Sequence, residues 1–162
     1  MNAALAIIES LPPVPTDAQI VEIGEKLLHF PQVPCKLTHS FQPGVYLREI
    51  EMPAGTFVIG HKHDTEHFNV ILTGRAIVLI DGEARVVEAP CYFKSHAGCR
   101  KVLFIEQTMH WMTIHPNPTD TTDIAALESG IKAEPDAIDF DNMKRLKTHV
   151  AEQTITAGGY KK

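Results

Sequence analysis

An all-β sandwich or barrel, with one helix before it and helical segments after it, is the fold class this sequence predicts. From about Lys36 to His115, short β-rich runs are punctuated by the turn residues PAG, TG, DG and HAG. Near the middle, RAIVLI and EARVVEA flank Asp81-Gly82, a pair suited to the positive φ angles of a type I′ hairpin. Outside this stretch apolar residues recur at three and four positions, the period of a helix.

The helix before the β-region runs through TDAQIVEIGEKLLHF. Thr16, with Gln19 three residues on, forms a capping-box pattern, and Ile20, Ile23 and Leu27 fall on one face. Pro31 and Pro34 then break the chain. After His115, PNPTDTTD supplies prolines and cap residues, and Ile124, Leu127 and Ile131 return at helical spacing. A further helix is expected from Pro135, at a first-turn position, through about Lys147, with TAGGYKK frayed beyond it. The organisation expected is a helical arm over residues 1–35, a β-barrel over 36–116 and a helical tail over 117–162, together one domain.

At 162 residues, 44% hydrophobic and 22% charged, the chain has the composition of a globular domain with a real core. A net charge of -5, with Lys and Arg scattered, offers no basic surface to neutralise phosphates, which argues against nucleic-acid binding. No apolar run approaches the roughly 20 residues that span a bilayer, and MNAALAIIESLPP lacks the positive start of a secretory signal. A cytoplasmic protein with no membrane contact is the expectation. Cys35, Cys91 and Cys99 form no CxxC pair, which fits free, buried thiols in a reducing compartment.

The stretch HKHDTEHFNVILTG, residues 61–74, carries the chemistry. In TFVIGHKH, alternation puts Phe57, Ile59, His61 and His63 on one face, and the apolar pair marks that face as interior. His67, Asn69 and Ile71 share a face on the next strand. Imidazoles converging from adjacent strands can share one ion, because a metal needs several neutral or anionic ligands held on a rigid frame.

The spacing of His61, His63, His67 and Gly74 resembles the first motif of the cupin superfamily, in which HxH, a glutamate and a later glycine take these places. His67 stands where the glutamate is usual, and Glu66 falls on the opposite register. The second motif should lie in EAPCYFKSHAGCRKVLF, where Ser95 to Ala97 take the PxG places and Arg100 that of the last histidine. An arginine cannot bind a metal, but it can grip a carboxylate or phosphate. In such folds the strand after the second motif runs antiparallel beside the strand holding the acidic ligand, which would bring His115, at the end of WMTIH, close to His67. The TIHP ending and helical tail further resemble small cupin-like proteins of phages and prophages, where the protein would be virion-associated.

The resemblance implies a double-stranded β-helix of two antiparallel sheets, forming a homodimer or higher oligomer. It implies a divalent ion, Fe, Zn, Mn or Ni, on His61, His63, His67 and His115, with Arg100, Asn69 and Trp111 toward a small molecule. A structural or assembly module with a degenerate or stabilising metal site is the alternative, and whether chemistry occurs stays open. Trp111, Phe68, Phe93 and Phe104 are expected in the core.

Overall fold

A computed structural model describes residues 6, 7 and 9–132. The helix expected from Pro135 and the tail after it lie outside the described residues. Helix α1 spans Asp17–Leu28, and the strands follow as β1 Lys36–Gln42, β2 Gly44–Met52, β3 Phe57–Ile59, β4 His67–Ile80, β5 Glu83–Glu88, β6 Cys91–Ser95 and β7 Lys101–Asn117, with α2 at Ile124–Ile131. All strand pairs are antiparallel.

Two long strands build the barrel. β4 pairs with β7 along most of its length, and each also serves two further neighbours. Residues 67–71 of β4 pair with β6 and residues 75–80 with β5. Residues 102–104 of β7 pair with β3, and residues 109–117 pair with β2, which in turn holds β1. One layer is thus β1, β2, the end of β7, the start of β4 and β6. The other is β3, the start of β7, the end of β4 and β5. This is a double-stranded β-helix of the cupin type.

The bend that lets β4 pass between layers falls at irregularities between Ile71 and Ala76. Gly74 sits there at φ 90°, and a side chain would bring its Cβ within 2.7 Å of Met109 Cα. Only glycine combines that backbone angle with so close an approach of β7. Met52, Ile71, Val78, Ile105, Met109 and Trp111 fill the space between the layers. Burying an Ile or Met side chain of this kind stabilises by roughly 1.5–3 kcal/mol.

Both helices form as their caps direct. Thr16 and Gln19 make the reciprocal capping box of α1, and the Asp123 carboxylate accepts from the Ala125 and Ala126 amides at the start of α2. The helices cover different parts of the barrel. Ile23 and Leu27 of α1 pack on Phe57 and Ile59. Leu127 and Ile131 of α2 pack on Tyr46. The turn at Asp81-Gly82 has φ 53° and 78°, the type I′ signature expected.

Two expectations are overturned here. Phe57 and Ile59 face α1 on the outside of the barrel, whereas Val58 packs against the main core, so the interior face of β3 is the reverse of the one predicted. An outer face covered by a helix is as apolar as an inner one, and apolar residues alone then cannot say which is which. Phe68 is 49% exposed on the outer face of β4 and is not a core residue. No helix among the described residues is long and apolar enough to cross a membrane.

Candidate metal centre

Antiparallel pairing of β4 with β7 places Phe68 opposite Ile114 and Asn69 opposite Thr113, and therefore His67 beside His115. Their ring centroids are 4.9 Å apart, as the strand argument expected. His63 arrives from the connection between β3 and β4, fixed by backbone bridges to Cys99 and to Lys132 just after α2. Its ring lies 4.5 Å from His67 and 5.6 Å from His115. One ring nitrogen from each of the three lies within 4.8 Å of the others.

His67 and His115 are buried, 3% and 1% exposed, and His63 is half-buried with its Nδ1 atom out of contact with solvent. Burial is the main cause that holds His63 down at about 2 and His115 at about 3, and His67 below its ordinary value. The neighbouring imidazoles, Lys101 and Arg48 push His63 and His115 the same way. All three rings are therefore neutral at pH 7, the form in which imidazole ligates.

Hydrogen bonding shows how well a cation suits these rings. His67 Nδ1–H donates to the Thr65 carbonyl at 3.0 Å, which leaves the lone pair on Nε2. His63 Nδ1 and both ring nitrogens of His115 are buried with no hydrogen-bond partner among the described residues. A buried polar atom left so costs roughly 1–3 kcal/mol. Neutral, converging nitrogens with unused lone pairs are the donor set of a divalent transition metal, so the residues fit the ion that the resemblance implies.

One neighbour competes with it. Lys101, at the start of β7, is 9% exposed and donates from Nζ to His67 Nε2 at 3.3 Å. The lone pair that would ligate is the one this ammonium holds, so the bond to Lys101 and a bond to metal exclude one another. Burial lowers the Lys101 pKa. The sequence did carry a signal for Lys101. Leu103 and Ile105 belong to the interior of β7, and two-residue alternation extends that face back to Lys101 rather than Arg100.

The remaining predicted residues are placed elsewhere. His61 stands outside the converging trio; at Glu128 of α2, burial raises the carboxyl's pKa but Lys132, Arg48 and, least of the three, His61 together hold it below its ordinary value. Arg100 is held at α1, donating from Nε to Asp17 at 3.1 Å and from a terminal nitrogen to the Gly60 carbonyl at 3.0 Å. Asn69 accepts from the Trp111 indole at 3.1 Å and donates to Ser95 Oγ at 2.9 Å, tying β7, β4 and β6 together. Phe93 meets Trp111 edge to face at 5.6 Å. Asn69 and Trp111 thus brace the barrel wall beside the trio. Arg48, which the sequence reading did not single out, lies on β2 3.7 Å from Glu128.

No protein-family model matches the sequence, and no curated protein does either. Among solved structures the chain is similar to an RmlC-like cupin from Shewanella frigidimarina, at 14% identity and a TM-score of 0.44 over 55% of this chain and 78% of that one. It is similar to an RmlC-like cupin with a double-stranded β-helix fold from Methanocaldococcus jannaschii, at 11% identity and 0.44 over 52% and 83%. A salicylate 1,2-dioxygenase from Pseudoaminobacter salicylatoxidans matches at 14% identity and 0.49 over 60% of this chain and 28% of that one. Likeness at this level concerns the fold, which the strand pairing already displays.

Proposed function

We propose that this protein binds a divalent metal ion on His63, His67 and His115 and uses the site to bind or act on a small anionic molecule. The observation that carries the reading is the convergence of three neutral imidazoles, two buried and one half-buried, with nitrogens within 4.8 Å of one another. A bound ion would supply Lewis-acid character and attract an anion. The chain's own residues supply the rest. Lys101 and Arg48 add positive charge beside the rings, close enough to lower the pKa of His63 and His115. Thr65 fixes the tautomer of His67, and α2 packs over Tyr46, whose ring stacks on His115 at 5.9 Å.

The test is elemental analysis of protein purified without chelators, together with metal titration of stripped protein. Occupancy approaching one equivalent, lost when His63 and His115 are replaced by Ala, supports the reading. Less than about a tenth of an equivalent, with no uptake on titration, sinks it.

A second reading, assembly through the β-sheet, rests on a different observation. On the outer face, Val70 pairs with Tyr92 and Met112, and Phe68 pairs with Ile114. Tyr92 is 76% and Phe68 49% exposed, an apolar surface of the kind that two copies bury against each other. Sedimentation analysis of the wild type against a Phe68→Glu, Tyr92→Glu variant decides it. A dimer that dissociates in the variant supports pairing through this face, and a wild-type monomer overturns it.

A further inference from the structure

We propose that Asp81, His96 and Cys99 form a second metal site, separate from the histidine trio and selective for a thiophilic ion such as zinc. The three come from the β4–β5 turn and from the loop between β6 and β7, and one ligand-type atom from each lies within 4.8 Å of the others. They sit on the wall of a cavity of about 510 Å³ that Ser95, Phe93 and Val87 also line.

The hydrogen bonds around His96 point to a cation. Nδ1–H donates to the Ala97 carbonyl at 2.6 Å, and in the neutral ring this leaves Nε2 with a lone pair. That lone pair faces an Asp81 carboxylate oxygen at 2.8 Å. Two lone pairs at this separation require a positive charge between them, either a second proton on the ring or a metal ion. The thiol of Cys99, from a residue only 1% exposed, completes a set of sulfur, nitrogen and oxygen. Burial pushes the Cys99 thiol up, so it is the charge of a bound ion that would draw the proton off, and its hydrogen bond to the Arg100 carbonyl, long at 3.9 Å, opposes this only weakly.

The same contacts exclude a nucleophile triad. Both nitrogens of His96 are already engaged, one by Ala97 and one by Asp81, so neither is free to take a proton from Cys99. The geometry does suit coordination. A backbone carbonyl on Nδ1 and a metal on Nε2 is the usual way a ligating histidine is oriented. Bonds of about 2.0–2.3 Å place tetrahedral ligand atoms roughly 3.3–3.6 Å apart, so Asp81 and His96 would open by about half an ångström and Cys99 would close on them. Side chains 49% and 56% exposed, as those of Asp81 and His96 are, have the room to do so. Loading the site releases the Cys99 proton and any second proton on His96 to solvent, with no change of oxidation state.

Cobalt(II) titration of chelator-stripped full-length protein tests the site. A thiolate-to-cobalt charge-transfer band reports this site alone, because the trio contains no sulfur. The band should appear in wild type and in Cys35→Ser and Cys91→Ser, vanish in Cys99→Ser, and be displaced by zinc(II). His96→Gln and Asp81→Asn, at exposed positions and with Asn as tolerant as Asp of the positive φ at the turn, should each weaken cobalt binding at the band by at least about tenfold. No band in wild type, a band that persists in Cys99→Ser, or affinity indifferent to His96→Gln overturns the proposal. The band should survive His63→Ala, so loss of the trio's ion and loss of this one are separate outcomes.

Discussion

His67 and His115 are buried, His63 is half-buried, and all three are held below their ordinary pKa, whereas His96 is exposed at a turn and held above it by the Ala97 carbonyl and then by Asp81. The first three converge from two strands and a connecting segment, and no carboxylate among the described residues is paired with them. The other has a carbonyl and a carboxylate that favour a proton. The same side chain is therefore shifted in opposite directions within one small barrel. Surroundings decide it, and histidine content alone would not.

The sharpest break in that comparison is removal of a converging nitrogen. His115→Ala should lower divalent-metal affinity at the trio by at least about 100-fold, because two imidazoles cannot replace three on a rigid frame. Equilibrium dialysis with cobalt(II) checks it, with the thiolate band counting the Cys99 site separately. A change below about tenfold would mean that His115 is only a packed aromatic against Tyr46.

Acid should separate the two kinds of histidine next. The depressed groups are neutral in the folded chain, while the unfolded chain takes up protons once pH falls below about 6.5. Their stabilising contribution is therefore present above that pH and is lost as pH falls toward the folded values, about 3 for His115 and about 2 for His63. The slope is about 1.4 kcal/mol per pH unit for each histidine. His96, raised rather than lowered, has the reverse sign and is lost as pH climbs above its ordinary value. Denaturant unfolding of metal-free protein between pH 7 and 4 should show a steep acid limb that His63→Ala flattens. A limb unaffected by that substitution would mean that the trio is already protonated.

Lys101 tests the neighbour's part. Lys101→Met removes the ammonium that holds His67 Nε2 and should raise the trio's metal affinity by at least about fivefold, since like charges about 4 Å apart repel by about 1 kcal/mol even at the dielectric of bulk water. Calorimetric titration would show it. A fall in affinity would instead make Lys101 part of the ligand set.

Much of this was legible because strand geometry is local and strict. Alternation put His67 and His115 on inward positions, and the strand order implied by the cupin resemblance, not local geometry, put His115 beside His67 across 48 residues of sequence, the separation of their numbers. The capping box at Thr16 and the turn at Asp81 were readable from local geometry alone. On β4 the inward face of His67, Asn69 and Ile71 was read correctly, and what failed was the inward face of β3. On β3 the outer face is covered by α1 and is as apolar as the inner one, so Phe57 and Ile59 misled. The same covering helix takes Arg100, through Asp17, away from the role expected of it. A composition signal cannot report a helix that arrives from 40 residues earlier, the span from Asp17 to Phe57.

The smallest effect is the control that gives the others meaning. His110 lies two residues from the Met112 register on β7 and bonds Glu49 across to β2, Nε2 to carboxylate at 2.7 Å, with a third of its side chain exposed. Such a partly exposed pair contributes under about 1 kcal/mol, because solvent screens the attraction and two side chains lose freedom to hold it. His110→Gln can keep a hydrogen bond to Glu49. Its unfolding midpoint at pH 7 should move little, and its metal stoichiometry should not change. If His110→Gln instead lowered metal stoichiometry as His63→Ala does, metal binding would reflect histidine number in general, and the distinction between the converging trio and a histidine paired with a carboxylate would lose its physical basis.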